Sequence, residues 1–343
     1  MARILEDATT RTEPELTTPI DLCDSRGNLN PPAVGFSRVP LHRCNLRGHP
    51  LRKKRWSYWA VTNDRYAFSV TIADVDYMGL GSVYLIDFAT QRMLERTVIL
   101  PFNGPPMPET VHEDVRFRDK RLRIALEDDG ARVRIRSKSP SVGGAPLRAD
   151  INIVRPEGHE TLNVVIPWSH DRFHFTSKQN TLPATGTVQI GDEEFVFEEG
   201  NSFAVLDYGQ GVWRYNTFWN WGAGSGVQDG RRVGLNLGGG WTDGTGMTEN
   251  GLCVDGRLHK IHEDVKWEYD TADFMKPWRV LSDRVDLRLD PIFERVTKTN
   301  LLVLKSQVHQ VFGHYSGAVV DDDGRAVAIN GLVGWVEQQD ARW

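Results

Sequence analysis

From residue 56 onward the chain repeatedly alternates apolar and polar residues with a period of two, and that period belongs to strands. Trp56-Ser57-Tyr58-Trp59-Ala60-Val61 and Tyr66-Ala67-Phe68-Ser69-Val70-Thr71-Ile72 flank Asn63-Asp64-Arg65, which reads as a hairpin. Ser82 to Phe88 continues the pattern. Arg121 to Glu127 and Arg132 to Arg136 alternate cleanly about Asp128-Asp129-Gly130, a second hairpin with charge on one face. Further strands are expected at 149–154, 161–166, 187–190, 194–197, 231–237, 264–269, 285–289, 301–304, 307–312 and 326–329. No amphipathic helix longer than about ten residues is visible, against a usual mean of about 11–12. Turn signals recur roughly every 8–12 residues, as in sandwiches and barrels. The expected fold class is therefore all-β, and closure into antiparallel barrels removes the exposed edges that so many strands would otherwise present.

Composition agrees. The 343 residues include 32 Gly and 11 Trp, which suits tight turns and an aromatic-lined interior. Length allows two domains or one large β domain. Residues 178–186 are polar and rich in turn formers, so the expected division is an arm at 1–20, a first barrel at 21–180 and a second at 181–343. Forty-one Lys+Arg against 46 Asp+Glu give a net charge of -5, which excludes a strongly basic nucleic-acid binder. Arg52-Lys53-Lys54-Arg55 before Trp56 reads as a solvated turn rather than an RNA site. Three cysteines, Cys23, Cys44 and Cys253, do not make a disulfide framework and are expected to be reduced thiols. The first residues carry no apolar signal region, and no stretch approaches the about 18 apolar residues of a membrane-spanning helix. A cytoplasmic protein without integral membrane association is the expectation.

The stretch from Leu206 to Leu252 is the richest in chemistry. It holds Asp207, Trp213, Trp219-Asn220-Trp221, Asn236, Trp241 and Glu249-Asn250 among many glycines. Trp219 and Trp221 share parity and hence one strand face. As a core, these rings fill a barrel; as a cavity wall, they enclose a ligand with few polar groups. Gly222-Ala223-Gly224-Ser225-Gly226 lacks the Lys-Ser/Thr ending of a phosphate loop and the strand–turn–helix setting of a nucleophile elbow. It is expected to be a β-turn. Asp207 and Glu249 are the candidate acids, since burial among aromatic rings raises a carboxyl pKa. Asp207 as a turn cap and Glu249 as an arginine partner are the bland alternatives. His314, beside Gly313 and Tyr315, is a secondary acid–base candidate. His170 and His174 have metal-like spacing only on a helix, which this stretch does not suggest. Asp321-Asp322-Asp323-Gly324 reads as a hairpin turn, and Asp74 and Asp76 either line a pocket or end a strand.

Asp207-Tyr208-Gly209-Gln210-Gly211, Trp219 to Gly226 and Thr248-Glu249-Asn250 together resemble the DUF2804 family. So do Cys23-Asp24, Gly27, Ala33 to Arg38 and Pro40-Leu41 near the front, and Gly331 to Glu337 through Trp343 at the end. The pattern is more distantly similar to carotenoid 1,2-hydratase and AttH-like proteins. That resemblance implies two tandem lipocalin-like antiparallel β-barrels around an apolar or amphiphilic ligand, in a group that includes hydratases and cyclases. Fold alone does not fix function.

The leading expectation is a cofactor-independent hydratase, isomerase or cyclase acting on a small or lipid-like molecule by acid–base catalysis. Asp207 or Glu249 would donate the proton, with His314 in support. Asn220, Asn236 and Asn250 would orient polar groups, and Trp213, Trp219, Trp221 and Trp241 would exclude water and stabilise positive charge. Two alternatives stand beside it. A lipocalin-like carrier would have an apolar pocket without carboxylates. A carbohydrate-active enzyme would hold Asp207 and Glu249 in one open cleft about 5–9.5 Å apart. No motif asks for a nucleotide, flavin or metal.

Overall fold

The computed structural model describes residues 12–301 and 304–343. They form two curled, lipocalin-like antiparallel sheets. Across the first sheet the main path runs Arg92–Pro101, Met78–Asp87, Tyr66–Asp74, Lys53–Thr62, Phe203–Val212, Arg172–Ile190, Ala145–Val154, Arg132–Val142, Arg123–Asp128 and Val115–Arg118. Short strands at Phe36–Ser37, Leu162–Ser169 and Glu193–Phe197 pair off this path. The second sheet runs Arg257–Ile261, Asn250–Val254, Arg231–Gly239, Asn216–Gln228, Ala326–Arg342, Leu304–Val320, Val285–Leu301, Trp278–Leu281 and Lys266–Glu268. The strand latest in this sheet's sequence, Ala326–Arg342, thus sits in its middle.

The two hairpins expected from alternation are present, with Thr62 paired to Ala67 and Asp128 to Val133. In Arg132–Val142, Val133 and Ile135 are buried while Arg134 and Arg136 stand in solvent. The strand expected at 301–304 includes residues 302 and 303, which lie outside the described residues. Odd positions of Lys53–Thr62, such as Trp59 and Val61, enter the first sheet's own core with Phe68, Ile135 and Phe175. Even positions, Tyr58 and Ala60, meet Trp221, Phe312 and Trp335 of the second sheet. Burial on both faces explains why Tyr58-Trp59-Ala60-Val61 carries no charged residue.

Three local expectations need correction. Residues 178–186, expected to divide two domains, lie inside the 19-residue strand Arg172–Ile190. Their turn-forming residues bend that strand at a bulge between Gln179 and Leu182, where Thr181 has φ 55°. Before the bend the strand pairs with Leu162–Ser169; after it, with Ala145–Val154 and Glu193–Phe197. The expected border at 180/181 falls within this strand, and sheet membership changes at 213–215.

Gly222 to Gly226 is likewise strand, within Asn216–Gln228. A Cβ on Gly222 would stand 2.5 Å from the Tyr315 hydroxyl, so the glycine serves close packing rather than turning. The Arg52–Arg55 run is not a solvated turn. Lys54 is fully buried, donates to the Leu51 and Val75 carbonyls at 3.2 and 3.1 Å, and lies 4.6 Å over the Tyr77 ring. Arg55 and Lys53 pair with Asp74 and Asp76 at 2.9 and 3.2 Å, so those two carboxylates close a strand end.

Residues 1–11 of the expected arm lie outside the described residues. The part that follows is anchored: Glu13 is 2% exposed and pairs with Lys260 at 2.9 Å. Cys23, Cys44 and Cys253 are buried free thiols, and Asp321 to Arg325 makes the expected turn.

Candidate active site

Strand register builds the walls of a cavity between the two sheets. Directly opposed residues of an antiparallel pair point to the same face. In the first sheet Lys178 opposes Asp207, Asp207 opposes Tyr58, Tyr58 opposes Thr71, Thr71 opposes Ser82, and Ser82 opposes Thr97. This polar row faces a row of the second sheet in which Trp221 opposes Glu337, Glu337 opposes Gln310, and Gln310 opposes Arg295. Every member of both rows lines one cavity of about 300 Å³. Trp56, His174, Trp213, Trp219, Trp241, Glu249 and Trp343 complete its aromatic end. A larger open groove of 1020 Å³ on the exposed face around Arg116, Arg134 and Arg148 is a charged surface remote from this chemistry.

One lysine and three carboxylates meet in the cavity. Lys178 Nζ lies 3.0 Å from Asp207 Oδ1 and 3.1 Å from Glu249 Oε2. Its ammonium also stands 4.3 Å over the Trp221 ring. Burial opposes its charge, but Asp207 and Glu249 outweigh burial and hold the ammonium above its ordinary range. Burial pushes the Glu249 carboxyl up, with Lys178 opposing and Asp207 adding to the rise. Trp241 Nε1 donates to Glu249 Oε1 at 2.8 Å. The Glu337 carboxyl is 8% exposed and accepts from Trp219 Nε1 at 2.9 Å. Burial pushes it up to about 7, against the pull of that hydrogen bond and of Lys178. A carboxyl of that acidity exchanges a proton near neutral pH.

A neutral histidine stands beside this cluster. Trp213 Nε1 donates to His174 Nδ1 at 2.9 Å, which places the ring proton on Nε2. Burial, followed by the Lys178 charge, holds His174 well below 6.5. Its ring stacks on Trp56 with centroids 4.6 Å apart. Gly209 admits that stack: a Cβ there would stand 2.5 Å from Trp56 and 2.6 Å from His174 Nε2. Gly238 does the same for Glu249, whose carboxyl occupies the place of the missing side chain. Close approach of side chains is why glycine interleaves with Trp and carboxylates here. Nearby, Tyr58, Tyr84 and Gln310 close a ring of hydrogen bonds at 2.8, 3.0 and 3.1 Å.

Of the residues singled out in the sequence, Asp207, Glu249, Trp213, Trp219, Trp221 and Trp241 come together on the cavity wall. The three asparagines stand behind it. Asn236 accepts from Trp221 Nε1 at 2.9 Å and donates to the Glu249 carbonyl at 2.5 Å. Asn220 donates to the Glu337 carbonyl at 3.2 Å. Asn250 accepts from Gly238 N–H at 2.7 Å and donates to the Glu263 carbonyl at 2.9 Å. These contacts hold backbone and neighbouring rings in place rather than face a ligand. His314 is partly exposed and does not line the cavity.

Sequence reasoning passed over Lys178, Glu337, Tyr58 and Arg295 as site residues, and weighed His174 only as a metal ligand. His174, Thr176 and Lys178 share one parity, and all three line the cavity. Glu337 shares parity with the buried Val333 and Trp335, and one acid at the end of an apolar strand face was its readable signal. No group of three or more His, Cys, Asp or Glu among the described residues is placed to hold a metal ion.

Comparison with known proteins places this geometry in context. No curated protein matches the chain. Among solved structures, CghA crystallised with Sch210972 is similar at 13% identity and TM-score 0.51, over 84% of this chain and 88% of that one. An AttH-type protein from Nitrosomonas europaea shares 12% identity at TM-score 0.51, over 84% and 92%. Kievitone hydratase from Nectria haematococca shares 11% identity at TM-score 0.50, over 84% and 88%. At these identities the likeness is one of fold. The family model for the domain of unknown function DUF2804 matches residues 13–343, and the chain belongs to that family.

Proposed function

We propose that the chain is a cofactor-independent acid–base enzyme that hydrates, isomerises or cyclises a small hydrophobic or amphiphilic molecule within the inter-sheet cavity. The observation that carries this reading is Glu337, a buried carboxyl poised near 7 in an aromatic cavity that also holds the Lys178–Asp207–Glu249 cluster. Glu337 replaces Asp207 and Glu249 as the proton donor, because Lys178 Nζ already occupies both of those at 3.0 and 3.1 Å, whereas Glu337 is held by the Trp219 indole.

In a hydration, Glu337 gives its proton to one carbon of a double bond, and the π pair becomes the new C–H bond. The Trp219 and Trp221 faces and the Asp207 carboxylate stabilise the positive charge left on the other carbon. Water adds its oxygen lone pair there and loses a proton to Asp207. Return of that proton to Glu337 closes the cycle with water as the only co-reactant. Loss of a different carbon-bound proton gives isomerisation, and attack by a second double bond gives cyclisation. The kievitone hydratase fold suits this reading without fixing it.

A passive carrier gains nothing from three buried carboxylates, whose desolvation costs stability. A glycosidase needs open space between its two carboxyls, and Lys178 fills the space between Asp207 and Glu249. Native mass spectrometry of wild type and Glu337→Gln, each purified from its own host, tests the proposal. Accumulation of a ligand on the variant alone supports turnover at Glu337. Equal ligand on both forms assigns the cavity to carriage and overturns the proposal.

A further inference from the structure

The cavity has two chemically different ends. Carboxylates and tryptophans gather around Lys178, whereas the other end carries Ser82, Thr97, Thr297, Thr299, Ser306 and Arg295. Arg295 and Thr297 share parity on Val285–Leu301, and both line the cavity. The Ser82 and Thr97 hydroxyls satisfy each other at 2.8 Å. Arg295 Nε and Thr297 Oγ1 do not: both atoms are buried and have no hydrogen-bond partner. Arg295 is already held at two other points. Its Nη2 lies 3.1 Å from Glu95 Oε2 on the edge of the first sheet, and its guanidinium stands 4.5 Å over the Tyr84 ring. A buried guanidinium N–H left without an acceptor is costly, and a planar anion supplies the acceptor.

We propose that Arg295 and Thr297 form a subsite for a carboxylate on the substrate, so that the molecule processed is an amphiphilic carboxylic acid. This rests on the inter-sheet cavity being the ligand site. The acidic end repels such a group, so the field of the cavity sets one orientation: carboxylate at Arg295, apolar body toward the tryptophans. Glu337, Gln310 and Arg295 occupy successive strands in one row. At about 4.8 Å between strands, the carbon that meets Glu337 lies within roughly 10 Å of the carboxylate.

The test is quenching of tryptophan fluorescence by decanoate, by methyl decanoate and by 1-decanol, at pH 8. Wild type is expected to bind decanoate about 10- to 100-fold more tightly than either neutral probe. Arg295→Met is expected to abolish that preference and leave 1-decanol binding unchanged. Because Arg295 also joins the two sheets through Glu95, Glu95→Gln is the control. If Arg295 only braces the sheets, Glu95→Gln and Arg295→Met weaken decanoate binding alike, and the subsite is overturned. If Arg295 receives the anion, Glu95→Gln binds decanoate at least as tightly as wild type does. Equal binding of all three probes to wild type overturns the subsite but leaves the cavity as a ligand site. Binding of none of them by a folded wild type removes the support for both.

Discussion

The Lys178 ammonium and the Trp221 ring face each other at 4.3 Å across the gap between the two sheets. Lys178 comes from the first sheet and Trp221 from the second, so the contact exists only when both are assembled. The same ammonium pairs with Asp207 of its own sheet and with Glu249, which directly precedes the second-sheet strand Asn250–Val254. The candidate site is therefore also the electrostatic joint of the molecule.

Lys178→Met is expected to leave Asp207 and Glu249 buried without their counter-charge. Denaturant unfolding should show a loss of roughly 3–5 kcal/mol. The loss should be greater at pH 8 than at pH 5, because burial already pushes the Glu249 carboxyl up and its protonation relieves the abandoned charge.

Glu337 predicts a pH profile. On the proposed mechanism its acidic form donates the proton, so turnover should fall as pH rises through about 7. The stability sign follows from a carboxyl raised by burial above its ordinary 4.5 to about 7. Its contribution is complete below the unfolded value and is lost as pH rises through the folded one. Glu337→Gln removes that loss, so the variant should gain on wild type by on the order of 3 kcal/mol between pH 4 and pH 8. Denaturant unfolding at both pH values checks the sign, and an activity assay should find the variant inactive.

Gly209→Ala tests the packing of the aromatic end. The added methyl meets Trp56 and His174 Nε2 well inside contact distance. The stack must shift, at roughly 1–3 kcal/mol, with a changed near-ultraviolet circular dichroism spectrum. The same substitution at Gly230, where an added Cβ meets nothing within 4 Å, should leave that spectrum unchanged, although its φ of 76° carries its own strain.

Glu13→Gln tests whether the N-terminal segment braces the second sheet. Burial works against the Glu13 charge, but His262, Lys260 and Thr248 outweigh it and hold the carboxyl below its usual 4.5. The variant should lose roughly 3–5 kcal/mol at neutral pH. The gap should narrow as the pH falls below the ordinary carboxylate range, where wild type forfeits the same charge. Unfolding transitions at pH 7 and at about pH 2 would reveal the convergence.

Much of the fold was legible because alternation reports burial directly. The hairpins at 62–67 and 128–133 and the shared face of Trp219 and Trp221 follow from parity alone. Glycines misled, because composition does not say whether a glycine turns the chain or makes room for a neighbour. Gly222 makes room, within a strand. Thr181 misled differently, since a turn-like conformation inside a strand makes a bulge, and a bulge leaves no gap in the strand pattern. At the site, the conspicuous Trp-rich stretch pointed to one wall only. Lys178, Tyr58 and Arg295 come from distant segments, and only register across strands sets them opposite one another. The asparagines drew attention as polar groups among rings, yet their amides satisfy backbone and ring partners behind the wall.

The middle position of Ala326–Arg342 in the second sheet has a consequence for biosynthesis. Its neighbours Asn216–Gln228 and Leu304–Val320 leave the ribosome before it, and each waits with an unpaired edge for the strand between them. That strand also brings Glu337, after Lys178, Asp207 and Glu249 have already been translated. A chain stalled short of it holds Lys178 with its two carboxylate partners but not Glu337, and an open seam where the sheet should close. Glu337 and a sealed surface thus arrive with the same segment, so the complete cavity exists only in a molecule whose second sheet has been fully made.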